Sequence, residues 1–287
     1  MDLLQLIFLS ILIVKSWFVI SISLPELCGR NRFGVDFNRF IVGGNLSPRG
    51  QWPWQVFLRI HIHGDIVSAH IDCGGSILND RWILTAAHCV KSIRDRLNDP
   101  NIKAEIKLNS IDIDHQDKFV ITKRIIKIRI HEEFDSSIPL NDIALLKIEG
   151  RLDFSNGIIA PICLQNLAKE NLFRNCYVTG YGFNDKDRSI DDYRLRSVYQ
   201  NIADYGLCLE NFQNFNSSSN LCIGGLGDHG SCIGDSGGPL QCYDIEDDIW
   251  YQTGIVSYGR SCAWEGVPDV YTKISFFYKW IVEQKND

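Results

Sequence analysis

The chain has no Cys-x-x-Cys pair, no internal repeat and no low-complexity tract. Without Cys-x-x-Cys or clustered Cys/His spacing, its cysteines do not read as a zinc site. Excess positive charge is missing too: 29 Lys and Arg face 35 Asp and Glu, a formal net charge of −6. That balance argues against a general affinity for nucleic acid. The basic pairs Lys123-Arg124 and Lys127-Arg129 alternate with isoleucines and read as the solvent face of a strand. After the N-terminal stretch there is no second long apolar run and no lipidation tail, so no membrane partner is expected. At 287 residues and 45% hydrophobic, the chain can bury the core of one large domain or two small ones.

The N-terminus is apolar from Leu3 to Val14 and interrupted by Lys15, too short a run for the roughly 20 residues that span a bilayer. Ser21-Ile22-Ser23 offers small residues for cleavage, so residues 1–23 read as a secretory signal peptide, with a signal anchor as the alternative. The ten cysteines all follow it, an even number that implies disulfides in a secreted protein. Spacing alone leaves roughly nine hundred pairings open. Asn45 and Asn216 each begin an Asn-x-Ser sequon, the first followed directly by Pro48.

Strand-like runs follow one another with polar breaks: QVFLRIHI, AEIKLNSIDI, KFVITKRIIKIRI, DIALLKI, CYVTGYG, YQTGIVSYG and VYTKI. They are short and rich in β-branched or aromatic residues, which predicts a mostly antiparallel all-β architecture. At the C-terminus Ile274, Phe277, Tyr278, Ile281 and Val282 fall on one helical face, predicting a closing helix packed on the strands.

Three local contexts carry chemistry. Ser236 sits in CIGDSGGPL, where glycines let the backbone approach a substrate closely. His88 ends the apolar stretch LTAAHC, and Asp142 heads the apolar run NDIALLKI. Each alone has an ordinary structural reading: a turn serine, a packed histidine, a turn aspartate. Together, in the order His, Asp, Ser, they suggest nucleophilic catalysis by a hydroxyl, a base and an orienting carboxylate.

With IVGG, TAAHC, NDIALL, GDSGGP and GIVSYG in place, the chain resembles the chymotrypsin-like serine peptidases from Ile41 to its C-terminus. The resemblance implies two six-stranded antiparallel β-barrels with the active site between them, and a C-terminal helix. It implies Ser236 as nucleophile, His88 as general base and Asp142 as its orienting partner, with the Gly234 and Ser236 amides as oxyanion hole. It further implies a zymogen: residues 24–40 a short propeptide, residues 41–287 the peptidase, and a cut between Phe40 and Ile41 that frees an ammonium to pair with Asp235. The disulfides it implies are Cys28–Cys163, Cys73–Cys89, Cys176–Cys242, Cys208–Cys222 and Cys232–Cys262, the first tethering the propeptide. One cysteine before Phe40 leaves no room for a clip or kringle module.

By the same comparison Gly230 occupies the position where trypsin-like relatives carry an acid. Ser231, Gly259 and Asp269 complete the specificity pocket. Asp269 is either a structural acid or a relocated carboxylate giving mixed basic and large apolar preference, as in some arthropod collagenolytic relatives. Expected partners are protein or peptide substrates, an activating protease (chymotrypsin-like, since Phe40 precedes the cut, or the enzyme itself) and serpin-type inhibitors. No cofactor is expected, and residues 105–117 lack a matched carboxylate pair for calcium. The competing reading is a catalytically silent serine-peptidase-like binding protein.

Overall fold

The computed structural model describes residues 28–31, 44–64, 67–115, 117–169, 175–183, 193–227, 230–260, 262 and 264–285. The signal segment, most of the expected propeptide and the Phe40–Ile41 bond with its Ile41 terminus lie outside them.

After a two-residue strand β1 (Asn45–Leu46), six strands form the first barrel: β2 (Gln55–Ile62), β3 (Ala69–Ile77), β4 (Trp82–Thr85), β5 (Ile102–Leu108), β6 (Ile121–Ile130) and β7 (Ala144–Ile148). A single turn of helix, α1 (Ala87–Val90), follows β4. The order around the barrel is β2-β3-β4-β7-β6-β5, closed by the pairing of β5 with β2. Alternation explains the closure. Ile102, Ala104, Ile106 and Leu108 of β5 are buried while Lys103 is exposed, giving one apolar and one wetter face.

The second half comprises β8 (Cys163–Leu164), β9 (Cys176–Gly180), β10 (Arg196–Gln200), β11 (Asn220–Leu226), β12 (Pro239–Asp244), β13 (Ile249–Tyr258) and β14 (Glu265–Lys273). Helix α2 (Tyr205–Asn211) lies between β10 and β11, and α3 (Ile274–Lys285) ends the fold. Six strands run in the order β10-β9-β12-β13-β14-β11. The two ends meet without a regular ladder, through the Ile202–Ile223 bridge and the bonds Ala203 N to Cys222 O (2.8 Å) and Gly224 N to Asn201 O (2.9 Å). Two short strands add to this barrel: β1 pairs antiparallel with β10, and β8 pairs parallel with β13. The latter is a stub pinned at Cys163 by its bond to Cys28.

The barrels meet over an aromatic cluster. Trp52 and Trp54 precede β2, Tyr177 lies in β9 and Trp250 in β13; the Trp52 and Trp250 rings are 4.9 Å apart edge to face, and Trp52 and Tyr177 5.9 Å. Buried amides and hydroxyls at the same seam satisfy one another: Ser76 Oγ donates to Gln252 Oε1 (2.6 Å), and Thr179 Oγ1 to Gln55 Oε1 (2.6 Å). Helix α3 buries Ile274, Phe277 and Ile281, the face read from the sequence. Its Phe277 ring meets His131 at 5.2 Å.

Trp250 is 1% exposed and touches aromatic rings from both barrels. Trp250→Ala is expected to lower stability by about 3–5 kcal/mol, seen as an earlier midpoint in urea denaturation followed by fluorescence. A loss no larger than that of a surface tryptophan would remove this cluster as the seam between the barrels.

Candidate active site

Asp142 enters the core from Asn141, whose left-handed φ of 52° an asparagine tolerates. Its side chain is fully buried, so each oxygen needs donors. Oδ1 accepts from the His88 backbone N–H (2.9 Å), while Oδ2 lies 2.7 Å from His88 Nδ1 and accepts from Ser257 Oγ (2.5 Å). The Asp142 carbonyl accepts from Thr272 Oγ1 (2.9 Å). Burial pushes this carboxyl upward, but the bonds from His88 and Ser257 and the charge of His88 outweigh it and hold the group below the ordinary carboxylate range. His88 itself is 29% exposed in its side chain, so part of the ring stays open to the cleft.

His88 is placed by the turn after β4, where Ala86, Ala87 and Cys89 are buried and Cys89 is bonded to Cys73 of β3. The Ser236 loop meets the same strand: Gly74 N–H donates to the Ser236 carbonyl at 2.7 Å. The Cys89 Sγ lies 3.6 Å from His88 Nε2 and 3.7 Å from the Ser236 carbonyl oxygen, which brings the two loops together across the barrel junction. Gly237, with φ 78°, is required here. A side chain on it would collide with Thr85 Oγ1 and with the Gly74 carbonyl oxygen.

Asp235 turns away from the cleft. Its carboxylate accepts from Gly182 N–H (3.0 Å) and Cys232 N–H (2.9 Å) and packs where side chains on Gly180 or Gly182 would stand. Among the described residues no cation lies against it. Burial, opposed only by those two backbone bonds, raises it to about 6. Gly234, one residue earlier, has φ 98°, and a Cβ on it would press within 2.8 Å of Gly182 Cα.

Ser231, Gly259, Asp269 and Ser236 line one pocket, together with Ile233, Tyr258 and Arg260. Gly230 is not among the residues lining it. Asp269 projects from β14, with Oδ2 accepting from Ser231 Oγ at 2.8 Å and Oδ1 filling the space where a Cβ on Gly259 would sit. Burial raises it to about 7 against the bonds from Ser231. Sequence reading missed Arg260 and the roles of Ser257 and Thr272 as donors to Asp142. Ser257 lies inside the quoted GIVSYG, so its signal was present, whereas Thr272 shows none.

All five disulfides connect the cysteines in the pairs implied by the resemblance. Asn216 is exposed and open to a glycan, whereas the first sequon's Ser47 is buried and accepts a bond from Trp52 Nε1 (3.1 Å).

Two β-barrels meeting where a buried aspartate holds a histidine, beside a serine on a glycine-bounded turn, form the architecture of the chymotrypsin-like class. A profile of the trypsin family matches residues 41–281, and the chain belongs to that family of serine-type endopeptidases. It is 32% identical over 258 residues to an ovochymase of Halocynthia roretzi, covering 86% of this chain and 15% of that protein. It is 31% identical over 249 residues to coagulation factor XI of Bos taurus, covering 85% of this chain and 37% of the relative. The chain thus spans well under half the length of these relatives.

Because the folded carboxyl of Asp269 lies above its unfolded value, its contribution to stability is fully present below about pH 4 and lost as pH rises through about 7. Asp269→Asn is therefore expected to gain stability relative to the parent between pH 5 and pH 8, by on the order of a few kcal/mol. Paired urea denaturation curves at the two pH values measure this. A difference independent of pH would mean that Asp269 is not desolvated in this way.

Proposed function

We propose that the chain is a secreted serine endopeptidase that cleaves proteins or peptides through an acyl-enzyme and is made as a short-pro zymogen. The observation that carries this reading is the buried Asp142 gripping His88 beside the Ser236 turn. Ser236 Oγ would attack the substrate carbonyl carbon as His88 Nε2 takes its proton. Asp142, already ionised, holds the ring by Nδ1–H and stabilises the imidazolium. The developing oxyanion would be met by the amides of Gly234 and Ser236, donors of a kind typically worth about 10²–10³ in rate. Collapse expels the amine, which takes the proton back from His88. Water then repeats the sequence to free the acid and restore Ser236.

Activation follows from Asp235. A desolvated carboxylate without a cation is unfavourable, and an ammonium released by cutting before Ile41 would fill that need. Breaking such a buried pair typically costs about 3–5 kcal/mol, ample to order the turn bearing Gly234. Five disulfides support an oxidising, extracellular setting. A cut at Arg39 would leave Phe40 on the new terminus, so the activator accepts Phe and is chymotrypsin-like or the enzyme itself. Autoactivation predicts that Ser236→Ala precursor expressed alone stays uncut, while addition of trace mature enzyme cuts it at Phe40–Ile41. Normal processing of that variant would eliminate autoactivation.

In the pocket, Asp269 is an acid that changes charge near neutrality. Ionised, it favours Lys or Arg before the scissile bond; protonated, it leaves a site for Leu, Phe or Tyr that Gly259 keeps open. The kcat/KM ratio of Arg over Phe substrates, on chain cut before Ile41, is expected to rise from pH 6 to pH 8, and to flatten and fall in Asp269→Asn. A ratio indifferent to both changes would make Asp269 purely structural. No turnover of any substrate and no labelling by an organophosphonate would favour the silent binding protein.

A further inference from the structure

The end of the β2–β3 hairpin carries three of the chain's seven histidines, none of them used by peptide hydrolysis. His61 and His63 are alternate residues and so face the same side, while His70 on β3 stands directly opposite His61 in the register. His63 continues the ladder past the strand, its N–H donating to the Asn101 carbonyl at 2.8 Å. The His61 and His63 rings stack at 6.3 Å between centroids, with planes 10° apart, and His61 and His70 are 6.5 Å apart.

Directly opposed strand residues hold their Cβ atoms about 4.5–5.5 Å apart, and alternate residues on one strand about 6.6 Å. From three such positions imidazoles can converge on one ion at about 2.0–2.1 Å. Ring rotation, not backbone movement, is what convergence requires, and His63 and His70 are exposed. The cations nearest to this face are already engaged. Arg59 is held by Asp72 in two bonds (2.8 and 2.6 Å), and Lys103 pairs with Glu105 at 2.8 Å. Asp72 Oδ2 also lies 3.6 Å from His70 Nε2. An outer carboxylate at that edge would fix the tautomer and leave His70 Nδ1 to bind metal.

We propose that His61, His63 and His70 form a surface site for a borderline transition-metal ion that clamps β2 to β3. A set of three imidazoles suits Zn²⁺, Cu²⁺ or Ni²⁺ and not the oxygen-seeking Ca²⁺ or Mg²⁺. Three protein ligands leave a fourth position for water or for a donor on a bound protein. The missing Cys-x-x-Cys spacing excludes only cysteine-based zinc, and this site contains no cysteine. Four residues beyond His70 on the same strand, Gly74 holds the Ser236 turn, so an ion here would stiffen the strand against which that turn rests.

The test is Zn²⁺ titration of the whole chain by calorimetry, in a His88→Gln background so that the active-site imidazole does not contribute. One ion per chain is expected, with affinity falling at least about tenfold in each of His61→Gln, His63→Gln and His70→Gln. Co²⁺ should give the visible bands of a low-symmetry site, lost in the same variants. The comparison counts only for variants whose metal-free unfolding midpoint is unchanged. His115→Gln, elsewhere on the surface, should bind as the parent does. Retention of parental affinity by the folded triple variant, or no saturable binding below millimolar Zn²⁺, would overturn the proposal.

Discussion

A carboxylate removed from water must be met by donors, and at Asp142 those donors come from both halves of the molecule. His88 reaches it from the first barrel and Ser257 from β13 of the second, while Thr272 of β14 donates to the Asp142 backbone carbonyl. The same bonds that keep the acid ionised at the bottom of the cleft therefore fix how the barrels sit against each other. Catalytic geometry and domain geometry are one problem here, solved by one side chain. The aromatic seam of Trp52, Tyr177 and Trp250 supplies contact area and is tolerant of small shifts. The directional bonds to Asp142 are not.

Three aspartates at the site respond to desolvation differently, and the number and charge of their partners decide the outcome. Asp142, beside a histidine and a hydroxyl, stays below the ordinary range. Asp235 has two backbone donors and rises to about 6. Asp269, with Ser231 as its donor, rises to about 7. Both raised acids lie in space vacated by glycines, Gly180 and Gly182 for one and Gly259 for the other. The missing side chains let a carboxylate in without supplying a charge to meet it, which makes both acids responsive to a cation arriving later.

Much of this was legible in the sequence where period and chemistry coincide. QVFLRIHI is β2 residue for residue, and the apolar face of α3 packs as its spacing requires. Other strands escaped pattern reading for identifiable reasons. β3 contains Gly74-Gly75, β11 contains Gly224-Gly225, and β12 opens on Pro239, residues that ordinarily mark breaks. In β3, Gly74 sits where the Ser236 turn presses close, so what reads as a break is room for the site. At the site, His88, Asp142 and Ser236 stood in recognisable words, and Asp269 and Gly259 in the late segment. Thr272 and Arg260 did not, because a donor from a distant strand or a cation at a pocket rim leaves no local pattern.

The segment around Cys28 has a consequence of another kind. It is bonded to Cys163 and stitched to the second barrel by Gly29 N–H to Pro161 O and Trp250 N–H to Gly29 O, both at 2.8 Å. Whatever precedes Cys28 is thus attached by a sulfur bond as well as by the peptide chain. If the chain is cut before Ile41, the two pieces remain one particle until a reductant parts them. A cargo fused upstream would ride with the mature form, its release controlled by redox potential and not by proteolysis.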